Sequence, residues 1–290
     1  MSTPICCGRS ADMTDAGQRV PLIAGGAGWA DRQRVYVDLD RRVRTPLPTS
    51  RRVSVLSLAG GTGASSVAAA VAALAAARRA RPVLAVDAHG STHGLAEKLG
   101  WESAERMTAP DAVRERARTF SEATNGLPHR GSLHFLGLGR ESAAVWPADV
   151  AEWREAVAPI GRFFPLVVTD WGRRRELTAV AEIARASHSV CVVAAADRRG
   201  LEEAASLVPA MRVEPGAPDV TLVLVDVSDA GGSATRVRLG PLDAPVLRVP
   251  FDARLASGIG AGGRTRRAWL AIAAAVIAGR ASDASQEVAS

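Results

Sequence analysis

Short apolar segments alternate with helical segments along most of this chain, and this alternation is the strongest constraint on its fold. A strand with one exposed face has a polar residue at every second position. Several of the apolar segments lack this alternation. Strands of this kind are covered on both faces, and strands that alternate with helices form parallel sheets through right-handed crossovers. We therefore predict an α/β fold with a doubly wound, mostly parallel sheet of about seven strands and helices on both faces.

The alternating pattern also divides the chain. The predicted strands are residues 53–58, 83–87, 133–138, 166–170, 189–196, 220–226 and 246–249. The predicted helices are residues 64–80, 92–99, 111–120, 149–159, 176–186, 200–209 and 266–279. We predict one domain over residues 51–280 and a flexible tail at 281–290. Residues 1–50 are predicted to be a partly ordered extension with a short strand at 34–39.

Composition excludes several classes of protein. The 290 residues are 47% hydrophobic, which favours one large core over a disordered chain. No apolar run reaches the roughly 18 residues that a membrane span needs, and the apolar segment 268–279 is predicted to be a buried helix. The first residues lack the apolar region of a secretory signal, and 3 cysteines do not make a disulfide framework. These features favour a cytoplasmic protein.

A glycine-rich turn, 59-AGGTGASS-66, follows the first strand of the predicted domain and opens a long alanine-rich helix. Gly60, Gly61 and Gly63 permit backbone angles at which successive amide groups converge on phosphate oxygens. The positive end of the following helix favours the same anion. Ser65 and Ser66 add hydroxyl groups, and Ser65 is placed to reach a phosphate or a bound Mg²⁺. The turn therefore predicts a phosphate-binding site.

The same segment resembles the deviant P-loop of the MinD/ParA family of dimeric ATPases, whose pattern is Lys-Gly-Gly-x-Gly-Lys-Ser/Thr-Ser/Thr. The likeness continues over residues 52–280. Asp87 ends the second strand ahead of a glycine-containing switch, and Asp170 ends the strand that matches Walker B. The segment 246–258 is similar to the family's proline-containing loop. The resemblance implies a P-loop NTPase-like fold and a site for ATP or ADP, with Mg²⁺ held by Ser65 and Asp170.

Three charged groups of the family pattern are replaced in this chain. Ala64 stands in place of the phosphate-bridging lysine, Ala59 in place of the lysine that reaches a dimer partner's nucleotide, and His89 in place of the second switch aspartate. One charged hydrogen bond contributes about 1.5–3 kcal/mol, so losing the bridging lysine should weaken triphosphate binding by roughly one to two decades. We expect a degenerate ATPase fold, comparable to the TadZ-like branch, that binds nucleotide weakly or not at all. Whether the chain is an enzyme stays open, with a pseudo-ATPase favoured.

Arginine could supply the missing positive charge, because it binds phosphate through two hydrogen bonds. The candidates follow two predicted strands and are Arg173, Arg174, Arg175, Arg198 and Arg199. Of these, Arg173 is taken as the candidate phosphate contact. A solvated charge cluster or a partner-binding patch is the other interpretation of these residues.

Other interpretations of the turn are also open. Residues 61–66 approximate the G-x-G-x-x-G fingerprint of Rossmann-type NAD(P) oxidoreductases, with Asp87 at the end of the next strand, but Ser66 replaces the third glycine. The turn could also bind nothing, with Asp87 and Asp170 capping helices. Trp171 either belongs to the core or fills the space of a nucleotide.

The charge of the chain bears on its partners. The net charge is +6, and acidic residues lie among the basic ones. We expect an acidic protein partner or non-specific contact with DNA, and a homodimer. The predicted function is that of a catalytically impaired MinD/ParA-like protein. It would position or regulate a larger assembly, such as a secretion or pilus apparatus, a division site or a chromosome. A slow ATPase that uses switch arginines is the alternative.

Overall fold

The computed structural model describes residues 28–91, 93–101, 112–138, 147–212, 216–228 and 244–279. The predicted tail at 281–290 and the first part of the predicted extension lie outside these residues. The predicted domain boundaries at residues 50 and 280 therefore stay predictions.

The described residues form an eight-stranded sheet in the order β3-β4-β2-β5-β1-β6-β7-β8. All neighbouring strands are parallel except β3 and β4. The strands are β1 Arg51–Ser57, β2 Val83–Asp87, β3 His129–Arg130, β4 Leu133–Gly137, β5 Leu166–Arg173, β6 Ser189–Ala195, β7 Asp219–Val225 and β8 Val246–Val249. The prediction of a doubly wound, mostly parallel sheet is confirmed, and the two-residue strand β3 is added to it.

Helices cover both faces of the sheet. They are α1 Trp29–Arg44, α2 Ala64–Arg78, α3 Leu95–Lys98, α4 Ala112–Glu115, α5 Phe120–Ala123, α6 Val150–Gly161, α7 Leu177–Arg185, α8 Arg198–Ala210, α9 Ala253–Ala256 and α10 Gly263–Ala278. Helices α1, α2, α3 and α10 contribute to the core on one face, and α5 to α8 to the core on the other. Strands buried on both faces explain why β2 and β4 carry so few polar residues.

The predicted strand at residues 34–39 is wrong, because these residues lie in helix α1. The alternating apolar residues there are typical of a strand, but residues spaced by one helical turn decide the structure. Leu39 and Val43 pack into the core formed with α2 and α10, and Val43 is fully buried. Asp40 accepts hydrogen bonds from Arg44, one turn later, and from Arg78 of α2. These contacts attach α1 to helices α2 and α10.

The alanine-rich helices α2 and α10 lie side by side against the sheet. Small side chains let them approach both the strands and each other, and most of the apolar residues of α10 are buried. The prediction that the last apolar segment is a buried helix is confirmed. Within the described ranges, no helix combines the length and hydropathy that crossing a membrane requires.

The strand order decides one of the alternatives. In the Rossmann order, the first two strands of the dinucleotide-binding unit are neighbours. Here β5 lies between β1 and β2, with Val53 paired to Val168 on one side and Val83 paired to Leu166 on the other. The topology therefore does not fit a dinucleotide-binding Rossmann unit.

Substitution of Val43 tests whether α1 belongs to the folded core. Val43→Ala should lower the free energy of unfolding by about 2 kcal/mol, because it removes two buried methyl groups and leaves a gap. Val37→Ala lies in the same helix at a position that is 56% exposed, and it should change stability by less than about 0.5 kcal/mol. Urea unfolding followed by circular dichroism measures both. Equal, small effects would contradict the packing of α1.

Candidate functional site

The glycine turn lies between β1 and α2, at the carboxyl ends of the parallel strands. Gly61 and Gly63 adopt φ angles of +75° and +85°, a region that other residues rarely occupy. The carbonyl of Ala59 accepts hydrogen bonds from the hydroxyls of Ser57 and Thr62 at 2.9 and 3.4 Å, which hold the turn in shape. Gly61 and Gly63 are therefore needed for the path of the backbone.

The backbone amides of this turn have no acceptor among the residues that the structure describes. None of the N–H groups of residues 60–66 donates a hydrogen bond to any atom of the described residues. Helix α2 first uses the amide of Val67, which donates to the Gly63 carbonyl at 2.9 Å. A row of free donors at the start of a 15-residue helix is suited to binding a phosphate group.

Two carboxylates lie next to the turn on neighbouring strands. Asp87 of β2 is paired in register with Asp170 of β5, and both are buried, at 5% and 0% exposure. Asp87 accepts hydrogen bonds from the amides of His89, Gly90 and Leu95 at 3.0 to 3.2 Å. These bonds shape the loop that follows β2.

Asp170 is less well satisfied than its neighbour. One oxygen, Oδ1, accepts from the Gly172 amide at 2.9 Å, while Oδ2 has no hydrogen-bond partner among the described residues. Burial, together with the negative charge of Asp87, raises the pKa of Asp170 to about 7, and the nearby Ser65 hydroxyl lowers it in part. An unpartnered buried carboxylate oxygen beside a serine hydroxyl is suited to a cation such as Mg²⁺.

Trp171 lies in the core and does not fill the hollow at the turn. Strand β5 carries a bulge here, because Val55 pairs with Asp170 and Leu56 with Gly172. The indole packs near Trp153 on the face of the sheet opposite α2, with ring centroids 5.9 Å apart, and its Nε1 donates to Ser54 at 2.9 Å. Of the two interpretations of this residue, the structure supports the core.

His89 occupies the space over the loop that follows Asp170. Gly172 has a φ of +59°, and a Cβ atom added to it would lie 2.2 Å from the His89 ring. Burial lowers the pKa of this imidazole, and its Nδ1 has no hydrogen-bond partner within the described ranges. No sequence pattern predicts this contact, because it depends on how two loops meet.

The candidate arginines are not equally available to a phosphate. Arg174 donates to the carbonyls of Ala88 and Ala148 at 3.1 and 2.7 Å and lies over the ring of Trp171. Arg198 and Arg199 each form an ion pair at 2.7 Å with a glutamate one turn later in α8. Arg173 is exposed at the end of β5, where it pairs in register with Ser57 at the end of β1.

A cavity of about 310 Å³ adjoins the turn. Its lining comes from the end of β6, the first turns of α8 and two residues of the turn, Ala59 and Thr62. This volume is at the lower limit of small-molecule sites. The side chain of Ala59 is too small to fill it. No sequence pattern predicts this cavity, because it depends on how α8 packs.

Comparison with known sequences gives a partial relative. No protein-family model matches the chain. The ESX-1 secretion-associated protein EspI of Mycobacterium tuberculosis is 30% identical over 152 residues, which are 50% of this chain and 22% of EspI. The chain therefore spans about a fifth of the length of the curated relative that it matches.

Comparison with solved structures concerns the fold. A ParA family ATPase from Chlorobium tepidum superimposes with a TM-score of 0.56 at 14% identity, over 78% of this chain and 98% of that one. The chain has a MinD/ParA-like fold. The septum site-determining protein MinD of Pyrococcus horikoshii, complexed with Mg-ADP, gives a TM-score of 0.53 at 14% identity over 77% and 94% of the two chains.

The MinD/ParA-like fold brings most of the predicted site residues together. The turn supplies Gly60, Gly61 and Gly63, and Ser65 of α2 lies beside Asp170, which in turn neighbours Asp87. Ser66 follows in the first turn of α2. Their roles in binding nucleotide and Mg²⁺ stay predictions. In the described ranges, histidine, cysteine and acidic residues form no cluster of three or more that could hold a metal ion.

The raised pKa of Asp170 predicts how stability depends on pH. Because the folded-state pKa of about 7 exceeds the ordinary value of 3.8, the native state binds this proton more tightly than the unfolded chain. Stability should therefore fall as the pH rises from about 4 to 7 and level off above that. Asp170→Asn should remove this part of the pH dependence, on the order of a few kcal/mol. Urea unfolding at several pH values measures it, and equal pH dependence of the two proteins would contradict the assignment.

Proposed function

We propose that this protein is a catalytically impaired MinD/ParA-like protein that binds nucleotide weakly and acts as a scaffold or positioning factor for a larger assembly. The observation that carries the proposal is the row of free amides at residues 60–66, in a turn where alanine occupies both lysine positions of the resembling family, 59 and 64. The turn keeps backbone amides suited to phosphate, and it lacks the two lysine side chains of the family pattern.

The residues present fit a nucleotide with Mg²⁺ in part. The amides of Gly60, Gly61 and Gly63 and the start of α2 would bind phosphate oxygens, and Ser66 would add a hydroxyl. Ser65 and Asp170 would hold the cation. A bound Mg²⁺–nucleotide would supply positive charge next to the two buried carboxylates, and its phosphates would supply the acceptors that the free amides lack.

Catalysis is expected to be poor because phosphoryl transfer depends on neutralising the charge that develops on the phosphate. Ala64 contributes no charge there. Arg174, whose positive charge lowers the pKa of Asp170, is already bound to two backbone carbonyls. Arg173 is the exposed candidate, so a slow ATPase that depends on Arg173 is the second candidate function.

A secretion apparatus is the assembly that the comparisons favour. EspI, the partial relative, is an ESX-1 secretion-associated protein. The similarity to ParA and MinD proteins concerns the fold alone. We propose that this chain forms a homodimer and contacts a protein partner of such an apparatus. Positioning proteins of this type would depend on nucleotide as a conformational signal more than on its turnover.

Restoring the lysine tests the proposed nucleotide site. The wild-type protein should bind ATP with Mg²⁺ weakly and release no phosphate, and Ala64→Lys should tighten binding roughly ten- to hundredfold, because it adds one charged hydrogen bond. Ala73→Lys places the same charge on the exposed face of α2 and should leave the affinity unchanged. Isothermal titration calorimetry and a phosphate-release assay measure both quantities.

The outcomes separate the candidate functions. Phosphate release by the wild-type protein that disappears in Arg173→Ala would favour the slow ATPase. Equal affinities of wild-type protein, Ala64→Lys and Ala73→Lys would contradict a phosphate site at the glycine turn. In that case the scaffold would act without nucleotide.

A further inference from the structure

Six arginines gather where three helices begin near the β8 edge of the sheet. Helix α10 begins beside α1, and Arg267 Nη2 donates to the Arg32 carbonyl at 2.9 Å. Helix α9 and the loop 257–262 connect β8 to the same end of α10. We call this surface the β8-edge patch, and its basic residues are Arg32, Arg34, Arg254, Arg264, Arg266 and Arg267.

Most of these charges have no counter-charge. The side chains of Arg32, Arg254, Arg264 and Arg266 form no ion pair or hydrogen bond within the part of the chain that the structure describes. Arg34 approaches Asp31 at 3.7 Å, with both side chains largely in solvent. The patch therefore carries a surplus of positive charge that its own fold does not use.

A second carboxylate near the patch, that of Asp252, forms hydrogen bonds with the backbone. Asp252 accepts hydrogen bonds from the amides of Arg254, Leu255 and Gly262 at 2.6 to 3.4 Å. The Thr265 hydroxyl and, after it, these amides lower the pKa of the Asp252 carboxyl. Asp252 thus fixes the loop between β8 and α10 in one shape, and it forms no ion pair with the arginine side chains.

The fixed loop holds an isoleucine in solvent. Ile259 is 68% exposed, the largest exposure among the large hydrophobic residues of the described ranges. It lies between Gly258 and Gly260, at φ angles of +73° and +94°, and its amide donates to the Arg254 carbonyl at 2.8 Å. The backbone therefore presents Ile259 outward, in the loop that runs from Arg254 of α9 to Arg264 of α10.

We propose that the β8-edge patch binds the surface of an anionic phospholipid membrane. The arginines contact lipid phosphates, and Ile259 enters the boundary between headgroups and acyl chains. Positive charge attracts any polyanion, but a projecting apolar side chain among arginines matches a surface that is charged outside and apolar just beneath. A nucleic-acid duplex would use the arginines and leave Ile259 in water. The proposal does not depend on nucleotide binding at the glycine turn.

Vesicle flotation of the full chain tests the proposal. The protein should bind vesicles of phosphatidylcholine that contain phosphatidylglycerol, and should not bind vesicles of phosphatidylcholine alone. Arg264→Gln/Arg266→Gln should weaken binding roughly 25-fold, at about fivefold for each arginine. Ile259→Ser should weaken it about fivefold. All three positions are exposed, so the variants should unfold at the wild-type temperature.

Matched controls exclude a general effect of charge or hydropathy. Arg116→Gln/Arg154→Gln removes two exposed arginines near α4 and α6, and Leu177→Ser removes a residue that is 60% exposed at the start of α7. Both should bind anionic vesicles as the wild type does. Equal losses in controls and patch variants would overturn the proposal. So would a failure to bind anionic vesicles, or binding to duplex DNA that needs the arginines while Ile259→Ser has no effect on either ligand.

Discussion

The position of β5 between β1 and β2 is the constraint on which the site depends. This strand is buried over almost its whole length, and its parallel pairing with both neighbours brings three strand ends to one place. The glycine turn follows β1, Asp87 ends β2, and Asp170 lies near the end of β5. The alternation of side chains along β5 places Asp170 next to Ser65 on the turn side and Trp171 in the opposite core, near Trp153.

The electrostatic state of the site follows from what this arrangement lacks. Two buried carboxylates in register repel each other, and neither Ala59 nor Ala64 offers a cation. Asp87 is stabilised by three backbone amides. Within the described ranges, Asp170 keeps one oxygen without a hydrogen-bond partner, and its pKa is raised to about 7. Nearby, the amides of the turn lack acceptors in the described part of the chain. A proton would satisfy Asp170 alone, whereas a cation bound together with its anion would satisfy both the carboxylate and the amides.

The sequence predicted the layers of this fold well, and the contacts between loops poorly. The strand 83–87 matched in both bounds, because its run of apolar residues leaves little choice, and the strand 246–249 also matched although it contains Arg248. Residues 34–39 misled the prediction, since valine alternation favours a strand until the ion pairs of α1 and its packing on α10 are included. The sequence predicted that Asp87 and Asp170 each lie at the end of a strand, but it did not predict that they pair in register. The contact between His89 and Gly172 and the cavity beside Ala59 depend on tertiary packing, which has no local signal.

The central claim is that the main-chain amides of residues 60–66 bind phosphate without a lysine. The most direct test is to follow the amide resonances of Gly60, Gly61 and Gly63 by two-dimensional NMR while Mg-ADP is added, with Gly131, in the turn between β3 and β4, as an internal reference. We expect saturable shifts of the three turn glycines while Gly131 stays in place. Unchanged turn glycines at concentrations of Mg-ADP that shift other resonances would contradict the account.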